Sequence, residues 1–174
     1  MLVWINGSFG AGKSTIARAL SREYPRLLEF DPERIGFMLR DMTPVGCRTS
    51  DFQDLPLWRE LVVRTAVGLS AQCARPLVIP MTVANESYFE EIMAGFRDAN
   101  VEVRHFTLLA STITLRKRLW RRWSTPSSKK WALAQTERTA NALLSPRFAV
   151  HIETDGRTVQ EVMNHLASCL SDIQ

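Results

Sequence analysis

Short apolar runs alternate with helical patterns along the whole chain. Five apolar runs predict β-strands, at residues 1–5, 27–30, 77–81, 101–109 and 149–153. Apolar positions at helical spacing predict helices between and after them, at residues 13–23, 58–73, 86–99, 111–122, 131–144 and from 159 onward. Strands that alternate with helices are typical of α/β proteins, and the pattern predicts a three-layer, doubly wound parallel sheet of five strands. Ligands in such sheets bind at the carboxyl ends of the strands.

The segment at residues 123–130 interrupts this alternation. It contains Ser-Thr-Pro-Ser-Ser and has no periodic apolar face, which predicts a mobile loop. We expect a single domain over residues 1–174, because this length is typical of one compact unit. Within it we expect an insert at about residues 32–75 and a short mobile lid at about residues 122–131.

The composition excludes several classes of protein. The chain of 174 residues is 45% hydrophobic and 23% charged, which argues against a disordered or fibrous protein. The cysteines are far apart and form no Cys/His cluster, which predicts a reduced, cytoplasmic protein without a zinc site. No signal peptide or membrane-spanning segment is expected. Peripheral membrane contact and the oligomeric state stay open.

The net charge of +4 is distributed unevenly. Residues 111–136 contain seven basic residues and no acidic one, so the rest of the chain carries a net charge of −3. Nucleic-acid-binding proteins usually present a broader basic face, and we expect no nucleic-acid partner. A confined basic cluster is better matched to a small polyanion such as a nucleoside triphosphate.

Residues 7–14 match the phosphate-loop pattern G-x-x-x-x-G-K-[ST] in full, between a predicted strand and a predicted helix. Glycines allow backbone N–H groups to wrap a phosphate, and the helix N-terminus adds its positive dipole end. We expect ATP or GTP here, with Lys13 reaching the β- and γ-phosphates and the Ser14 hydroxyl binding Mg²⁺. The predicted nucleotide-binding residues of this loop are Gly7, Ser8, Phe9, Gly10, Ala11, Gly12, Lys13, Ser14 and Thr15.

Asp31 ends the second predicted strand and precedes Pro32. An Asp-Pro pair favours a helix start, so Asp31 is a candidate helix cap. A carboxylate at this strand end also faces the phosphate loop, where it would bind Mg²⁺ through water or accept the proton of an attacking hydroxyl. Both roles are compatible. The acceptor side of the site is predicted to contain Asp31, Arg34, Phe37, Arg40, Phe52 and Thr82.

Arg118 and Arg122 are four residues apart, so they share one face of a predicted helix. Cations near a helix C-terminus also complement its dipole, which explains one or two of the clustered arginines. Phosphoryl transfer spreads negative charge over the moving group, and arginines on a closing lid stabilise that charge while water is excluded. The predicted catalytic residues are therefore Lys13, Asp31, Arg118 and Arg122, with Arg138 as a weaker candidate.

Together these motifs resemble the nucleoside monophosphate kinase-like group of P-loop phosphotransferases. The resemblance implies that Arg118 stacks on the adenine ring and that Arg122 touches the phosphates. It also implies that the turn Asp155-Gly156-Arg157 closes over the base from the other side. Over nearly the whole chain the sequence is similar to the ATP-binding tunicamycin-resistance proteins, through DPERIGFMLR, DFQDLPLWR and VIPMTVANESYFEEI among other segments.

The second resemblance implies ATP-dependent handling of tunicamycin, a uridine-containing antibiotic that bears amino sugars and a fatty acyl chain. We therefore expect a phosphotransferase that uses ATP and Mg²⁺ to phosphorylate a hydroxyl of tunicamycin or of a related nucleoside-like compound. Two alternatives stay open: an ATP-binding protein that sequesters the drug without chemistry, and a kinase that acts on a nucleotide or a sugar acid. The preference between ATP and GTP also stays open.

Overall fold

The computed structural model describes residues 1–121 and 125–170. Its strands are β1 (Leu2–Gly7), β2 (Leu28–Glu29), β3 (Leu77–Pro80), β4 (Val103–Leu109) and β5 (His151–Glu153). Its helices are α1 (Lys13–Glu23), α2 (Glu33–Met42), α3 (Pro56–Cys73), α4 (Glu86–Asp98), α5 (Thr112–Arg121), α6 (Pro126–Ala142) and α7 (Val159–Ser168). Short 3-10 turns lie at Val45–Cys47, Phe52–Asp54 and Pro146–Phe148.

All five strands are parallel and form one sheet in the order β2-β3-β1-β4-β5. The predicted five-stranded, doubly wound α/β fold is confirmed. Ile5 of β1 is level with Pro80 of β3 and with Phe106 of β4, so these three strands end close together. Their carboxyl ends, and the loops that follow them, form the edge of the sheet where a site is expected.

Side chains of β1 alternate between two apolar layers, one on each face of the sheet. Leu2 and Trp4 belong to the layer that α3 and α4 cover, whereas Val3 and Ile5 belong to the layer that α1 and α7 cover. This alternation follows from the two-residue period of a strand. In the described part of the chain, no helix combines the length and the apolar character needed to cross a membrane.

The prediction of a loop at residues 123–130 is wrong from residue 126 onward, because α6 begins there. Pro126 occupies the first turn of α6, and the hydroxyl of Thr125 accepts a hydrogen bond from the Ser128 amide. Proline lacks an N–H that the first turn would leave unpaired, so it starts a helix as readily as it ends one. The predicted N-cap at Ser111 is confirmed, since its hydroxyl accepts from the Thr114 amide.

Candidate functional site

The phosphate loop connects β1 to α1 and follows a path that requires glycine. Gly10 has a φ of +86°, and a Cβ atom placed on it would lie 2.7 Å from the carbonyl oxygen of Leu115 on α5. A side chain at this position is therefore strained by its backbone conformation and also blocked by a neighbouring backbone. The loop packs against α5 at Gly10.

Lys13 and Ser8 hold the two ends of the loop in place. The Lys13 ammonium donates a hydrogen bond to the Ser8 carbonyl over 3.1 Å and lies 5.7 Å from the centre of the Phe9 ring. The Ser8 hydroxyl is buried and donates to the Thr136 carbonyl on α6, with the Thr139 hydroxyl 2.5 Å away. The Ser8 side chain therefore ties the loop to α6, and any contact of Ser8 with a phosphate would use its backbone.

Asn6, in β1, supports the phosphate loop from the side of the sheet. This residue was not predicted from the sequence. Its carboxamide oxygen accepts hydrogen bonds from the amides of Gly7 and Val83, and its nitrogen donates to the Val83 carbonyl. Asn6 is fully buried. The signal was available, because Asn6 is the first polar residue in the apolar run that precedes the glycines.

A cavity of about 700 Å³, here called the nucleotide cavity, opens at the N-terminus of α1. Six residues of the predicted nucleotide-binding loop line it: Gly10, Ala11, Gly12, Lys13, Ser14 and Thr15. Arg118 also lines it, with one guanidinium nitrogen 3.0 Å from the Thr154 hydroxyl and the other 2.9 Å from the Thr154 carbonyl. This pair of bonds fixes α5 to the end of β5 and presents a cation to the cavity.

Only one residue of the predicted turn Asp155-Gly156-Arg157 lines the nucleotide cavity. Arg157 lines the nucleotide cavity, whereas Asp155 accepts a hydrogen bond from the Ser111 amide over 2.9 Å. Partial desolvation raises the pKa of Asp155, but hydrogen bonds from Ser111 and Thr114 and the charge of Arg118 outweigh it and hold the pKa below its usual value. Neither Asp155 nor Gly156 is part of the cavity wall, and their contact with a base stays a prediction.

A second cavity of about 580 Å³, here called the acceptor cavity, lies beside the nucleotide cavity. It brings together four of the predicted acceptor residues, Phe37, Arg40, Phe52 and Thr82. Leu119 lines both cavities, so they meet at this side chain. Residues at the start of α6, including Lys129 and Trp131, close the remaining wall.

Asp31 and Arg34 lie beside the acceptor cavity but outside its lining. One carboxylate oxygen of Asp31 accepts the Glu33 amide over 3.0 Å, which is the helix-start role considered for it. Pro32 and Glu33, the next two residues, do line the cavity. Arg34 is exposed on α2. The catalytic role of Asp31 and the substrate contact of Arg34 stay predictions, and Arg122 lies outside the described residues.

A smaller cavity of about 260 Å³, here called the annex, adjoins the acceptor cavity and shares Phe9, Asp51, Gln53 and Thr82 with it. Burial raises the pKa of Asp51 above its usual value, although the Gln53 amide hydrogen bond and the charges of Arg138 and Arg40 act against it. The sequence reasoning missed Asp51 as a site residue. Its only signal was its place in the segment DFQDLPLWR.

Arg59 holds the Phe52–Asp54 turn beneath these two cavities. Its Nε lies 2.7 Å from a Glu91 carboxylate oxygen on α4, and one terminal nitrogen donates to the Gln53 carbonyl over 2.5 Å. Its guanidinium stacks 4.2 Å from the centre of the Tyr88 ring, and the Tyr88 hydroxyl donates to Asp54. Although Arg59 is charged, it is buried with these partners, so the turn is fixed against both α3 and α4.

The residues present are compatible with Mg²⁺ next to a bound nucleotide. The Ser14 hydroxyl is exposed at the nucleotide cavity and has no hydrogen-bond partner among residues 1–121 and 125–170. A hard cation of this kind takes oxygen ligands and keeps several waters, so the Ser14 hydroxyl can supply one ligand while phosphates and waters complete the shell. No group of three or more His, Cys, Asp or Glu residues that could hold a metal occurs within the described ranges.

Comparison with known proteins agrees with this geometry. The family model AAA_33, described as an AAA domain, matches residues 2–143. The chain belongs to the AAA_33 family. No curated protein has a sequence that matches this AAA_33 chain.

Solved structures share the fold of this AAA_33 domain over almost its full length. The tunicamycin resistance protein of Deinococcus radiodurans is 29% identical, with a TM-score of 0.79 over 98% of this chain and 95% of that one. A sugar kinase from Janibacter sp. HTCC2649 is 16% identical, with a TM-score of 0.73 over 98% and 94%. The APS kinase CysC of Mycobacterium tuberculosis, in complex with AMPPNP and APS, is 14% identical, with a TM-score of 0.65 over 98% and 97%. The expected resemblance to tunicamycin-resistance proteins and P-loop kinases is confirmed, and the last two likenesses concern the fold alone.

Proposed function

We propose that this chain is a phosphotransferase that uses ATP and Mg²⁺ to phosphorylate a hydroxyl of tunicamycin or of a related nucleoside-like compound. The observation that carries the proposal is the contact of the two cavities at Leu119, with the phosphate loop at one side and an aromatic-lined chamber at the other. A hydrolase needs no second chamber of this size beside its nucleotide. The similarity to the Deinococcus radiodurans protein supports tunicamycin as the first acceptor to test.

The reaction moves the terminal phosphoryl group of ATP to the acceptor hydroxyl. The hydroxyl oxygen attacks the terminal phosphorus, the bond from that phosphorus to the bridging oxygen breaks, and ADP leaves. Asp31 takes the hydroxyl proton, because it follows β2 at the carboxyl edge of the sheet and its next two residues line the acceptor cavity. Lys13 and Arg118 stabilise the negative charge of the moving group, and Arg122, which lies outside the described residues, would join them.

Ser14 and Asp31 would hold Mg²⁺, the latter through a water molecule. When bound, Mg²⁺ neutralises the charge of the phosphates and polarises the terminal phosphoryl group. The amides at the N-terminus of α1 bind and orient the phosphate tail, since a helix begins there with its N–H groups unpaired. Trp131 and the apolar residues of the acceptor cavity exclude water from the reacting hydroxyl.

Mass spectrometry tests the proposal directly. The protein is incubated with tunicamycin, ATP and Mg²⁺, and the expected product is tunicamycin with the mass of one added phosphate. Asp31→Asn should retain ATP affinity and lower the rate of transfer about a hundredfold or more, because it removes the proton acceptor. Asp41→Asn, at an exposed carboxylate on α2 and outside the cavities, is the matched control and should transfer at the wild-type rate.

Two results would contradict the proposal. Consumption of ATP without a phosphorylated drug would exclude tunicamycin as acceptor and favour the metabolite kinase. Protection of cells from tunicamycin by Asp31→Asn at the wild-type level, with no adduct, would favour sequestration.

A further inference from the structure

The annex continues the acceptor cavity toward α4 and α6, and it rests on the same phosphate loop. Phe9 of the loop belongs to both cavities and lies beside the Lys13 ammonium. Thr82, also common to both, donates a hydrogen bond from its hydroxyl to the Gly7 carbonyl over 2.9 Å. A group bound in the annex would therefore lie against the loop that holds the phosphates.

The size of the annex limits what it can hold. Its volume of about 260 Å³ is below the range of about 300–1,000 Å³ that is usual for sites of whole drug-sized ligands. The acceptor cavity, at about 580 Å³, lies within that range. Because the two share four wall residues, the annex is suited to one part of a molecule whose remainder fills the acceptor cavity.

The walls of the annex present hydrogen-bonding groups that lack partners. In the part of the chain that the structure describes, the side-chain amides of Gln53 and Gln135 make no hydrogen bond, and neither does the Arg138 guanidinium. Asp51 accepts one bond, from the Gln53 backbone amide over 3.0 Å, which leaves its second carboxylate oxygen for a ligand. Asp51, Gln53 and Gln135 are half-buried, whereas Arg138 is exposed at the rim. Half-buried polar groups gain free energy from a partner, so these three favour a ligand with several donors and acceptors.

The charges of the annex select against anionic groups. Its walls contain the two carboxylates of Asp51 and Asp54 against the single guanidinium of Arg138, so an anion is repelled. A neutral ring with several hydroxyl groups satisfies both kinds of wall, because each hydroxyl donates to a carboxylate and accepts from an amide or guanidinium. The adjoining acceptor cavity differs in character, with Phe37, Phe52 and Trp131 in its wall.

We propose that the annex is an acceptor subsite for a neutral, polyhydroxylated ring, and that it selects amphiphilic acceptors whose apolar part lies in the acceptor cavity. Asp51 stands at the junction and accepts a hydrogen bond from a hydroxyl group of the ring at its second carboxylate oxygen. The inference rests on the proposed function only in treating the occupant as a phosphoryl acceptor. Binding to the annex can be measured without any transfer.

Calorimetry of the full-length chain with octyl β-glucoside, below its micelle concentration, tests the subsite. This probe has a neutral hydroxylated ring and an alkyl chain, and 1-octanol, which lacks the ring, is the comparison ligand. Asp51→Asn and Gln135→Leu should each weaken the binding of octyl glucoside about tenfold, the loss of one or two good hydrogen bonds, and should leave the binding of 1-octanol unchanged. Asp41→Asn and Gln72→Leu, at exposed positions outside the cavities, are the matched controls and should bind both probes as the wild type does.

Three results would contradict the proposed subsite. They are no saturable binding of octyl glucoside to the wild type, wild-type affinity for it in both annex variants, or an equal loss of affinity for octyl glucoside and 1-octanol. Because the titrations contain no ATP, they are independent of the phosphorylation assay. If octyl glucoside binds through its ring but tunicamycin is not phosphorylated, the proposed reaction is contradicted and the subsite is supported. If tunicamycin is phosphorylated and its KM is unchanged in both annex variants, the reaction is supported and the subsite is contradicted.

Discussion

At the scale of the residue, Gly10 brings the phosphate loop into contact with the backbone of α5. The carbonyl oxygen of Leu115 occupies the space where a side chain would begin, and the φ of +86° disfavours every residue with a Cβ atom. Gly46, in contrast, has no heavy atom within 4 Å of the position of a Cβ. Identical substitutions at these two glycines should therefore separate the cost of the loop geometry from the general cost of replacing glycine.

Gly10→Ala should lower the free energy of unfolding by about 2 kcal/mol or more, since it combines a left-handed backbone with a steric overlap. For a domain of this size that corresponds to a decrease in Tm of about 5 °C or more. Affinity for ATP should also decrease, because the loop must shift away from α5. Differential scanning calorimetry and ATP titration provide both values. Gly46→Ala should change neither, and equal effects in the two variants would show that the contact with Leu115 is unimportant.

At the scale of the element, Asn6 joins the end of β1 to the segment after β3. The amides of Gly7 and Val83 share its carboxamide oxygen, and both are buried next to it. Parallel strands leave their carboxyl ends without further ladder partners, so a side chain takes over the pairing of these groups. The path of the phosphate loop is thus set from the sheet side by Asn6 and from the helix side by Gly10.

Asn6→Ala should destabilise the fold by about 3 kcal/mol, because it leaves two buried N–H groups and one buried carbonyl without partners. Urea unfolding measures the loss, and ATP affinity should decrease with it because the first amide of the loop is no longer held. Asn141→Ala, on the exposed side of α6, should stay within about 0.5 kcal/mol of the wild type. A stable Asn6→Ala protein with normal ATP affinity would exclude the supporting role.

Sequence patterns predicted the elements where one signal dominated. Helix α1 has the predicted bounds because the glycines stop before Lys13 and apolar residues recur at helical spacing as far as Glu23. Helix α6 was predicted to begin five residues late, because Pro126 and the serines after it were interpreted as a loop. Serine and proline favour both loops and first helical turns, and only the Thr125 cap distinguishes the two.

Candidate site residues could be predicted where they belong to one motif. The segment from Gly10 to Thr15 lines the nucleotide cavity, since one short stretch of the chain supplies this wall. The annex could not be found in this way. Its walls combine Asp51 and Gln53 with Gln135 and Arg138, which lie more than eighty residues away along the chain and become neighbours only through the packing of α6.

At the scale of the whole molecule, stability depends on a histidine in the sheet. His105 on β4 stacks against Trp4 and Phe89, with ring centres 5.1 and 4.8 Å away, and its Nδ1 lies 3.1 Å from the Ala149 carbonyl. Burial lowers the pKa of His105 from 6.5 to about 4, with a smaller contribution from the charge of His151. The folded protein therefore holds His105 neutral at pH values where the unfolded chain binds a proton.

The sign of the pH dependence follows from this lowered pKa. Stability from neutral His105 is complete above pH 6.5 and decreases as the pH falls toward about 4, by about 1.4 kcal/mol per pH unit. Urea unfolding at pH 7 and at pH 4.5 should show that His105→Gln loses about 2–3 kcal/mol less than the wild type over this interval. His165→Gln, at an exposed histidine on α7, should follow the wild type. Parallel curves for His105→Gln and the wild type would disprove the assignment.

Leu119 is nearly inaccessible to solvent and is the side chain at which the nucleotide and acceptor cavities meet. At that point a single leucine side chain separates the two cavities. Such a thin separation would bring a phosphoryl donor close to its acceptor, but it would not by itself keep water away from the donor. In the proposed reaction, the ratio of transfer to hydrolysis would therefore depend on how completely the acceptor fills its cavity. A poorly fitting molecule leaves room for water, which would hydrolyse the nucleotide unproductively.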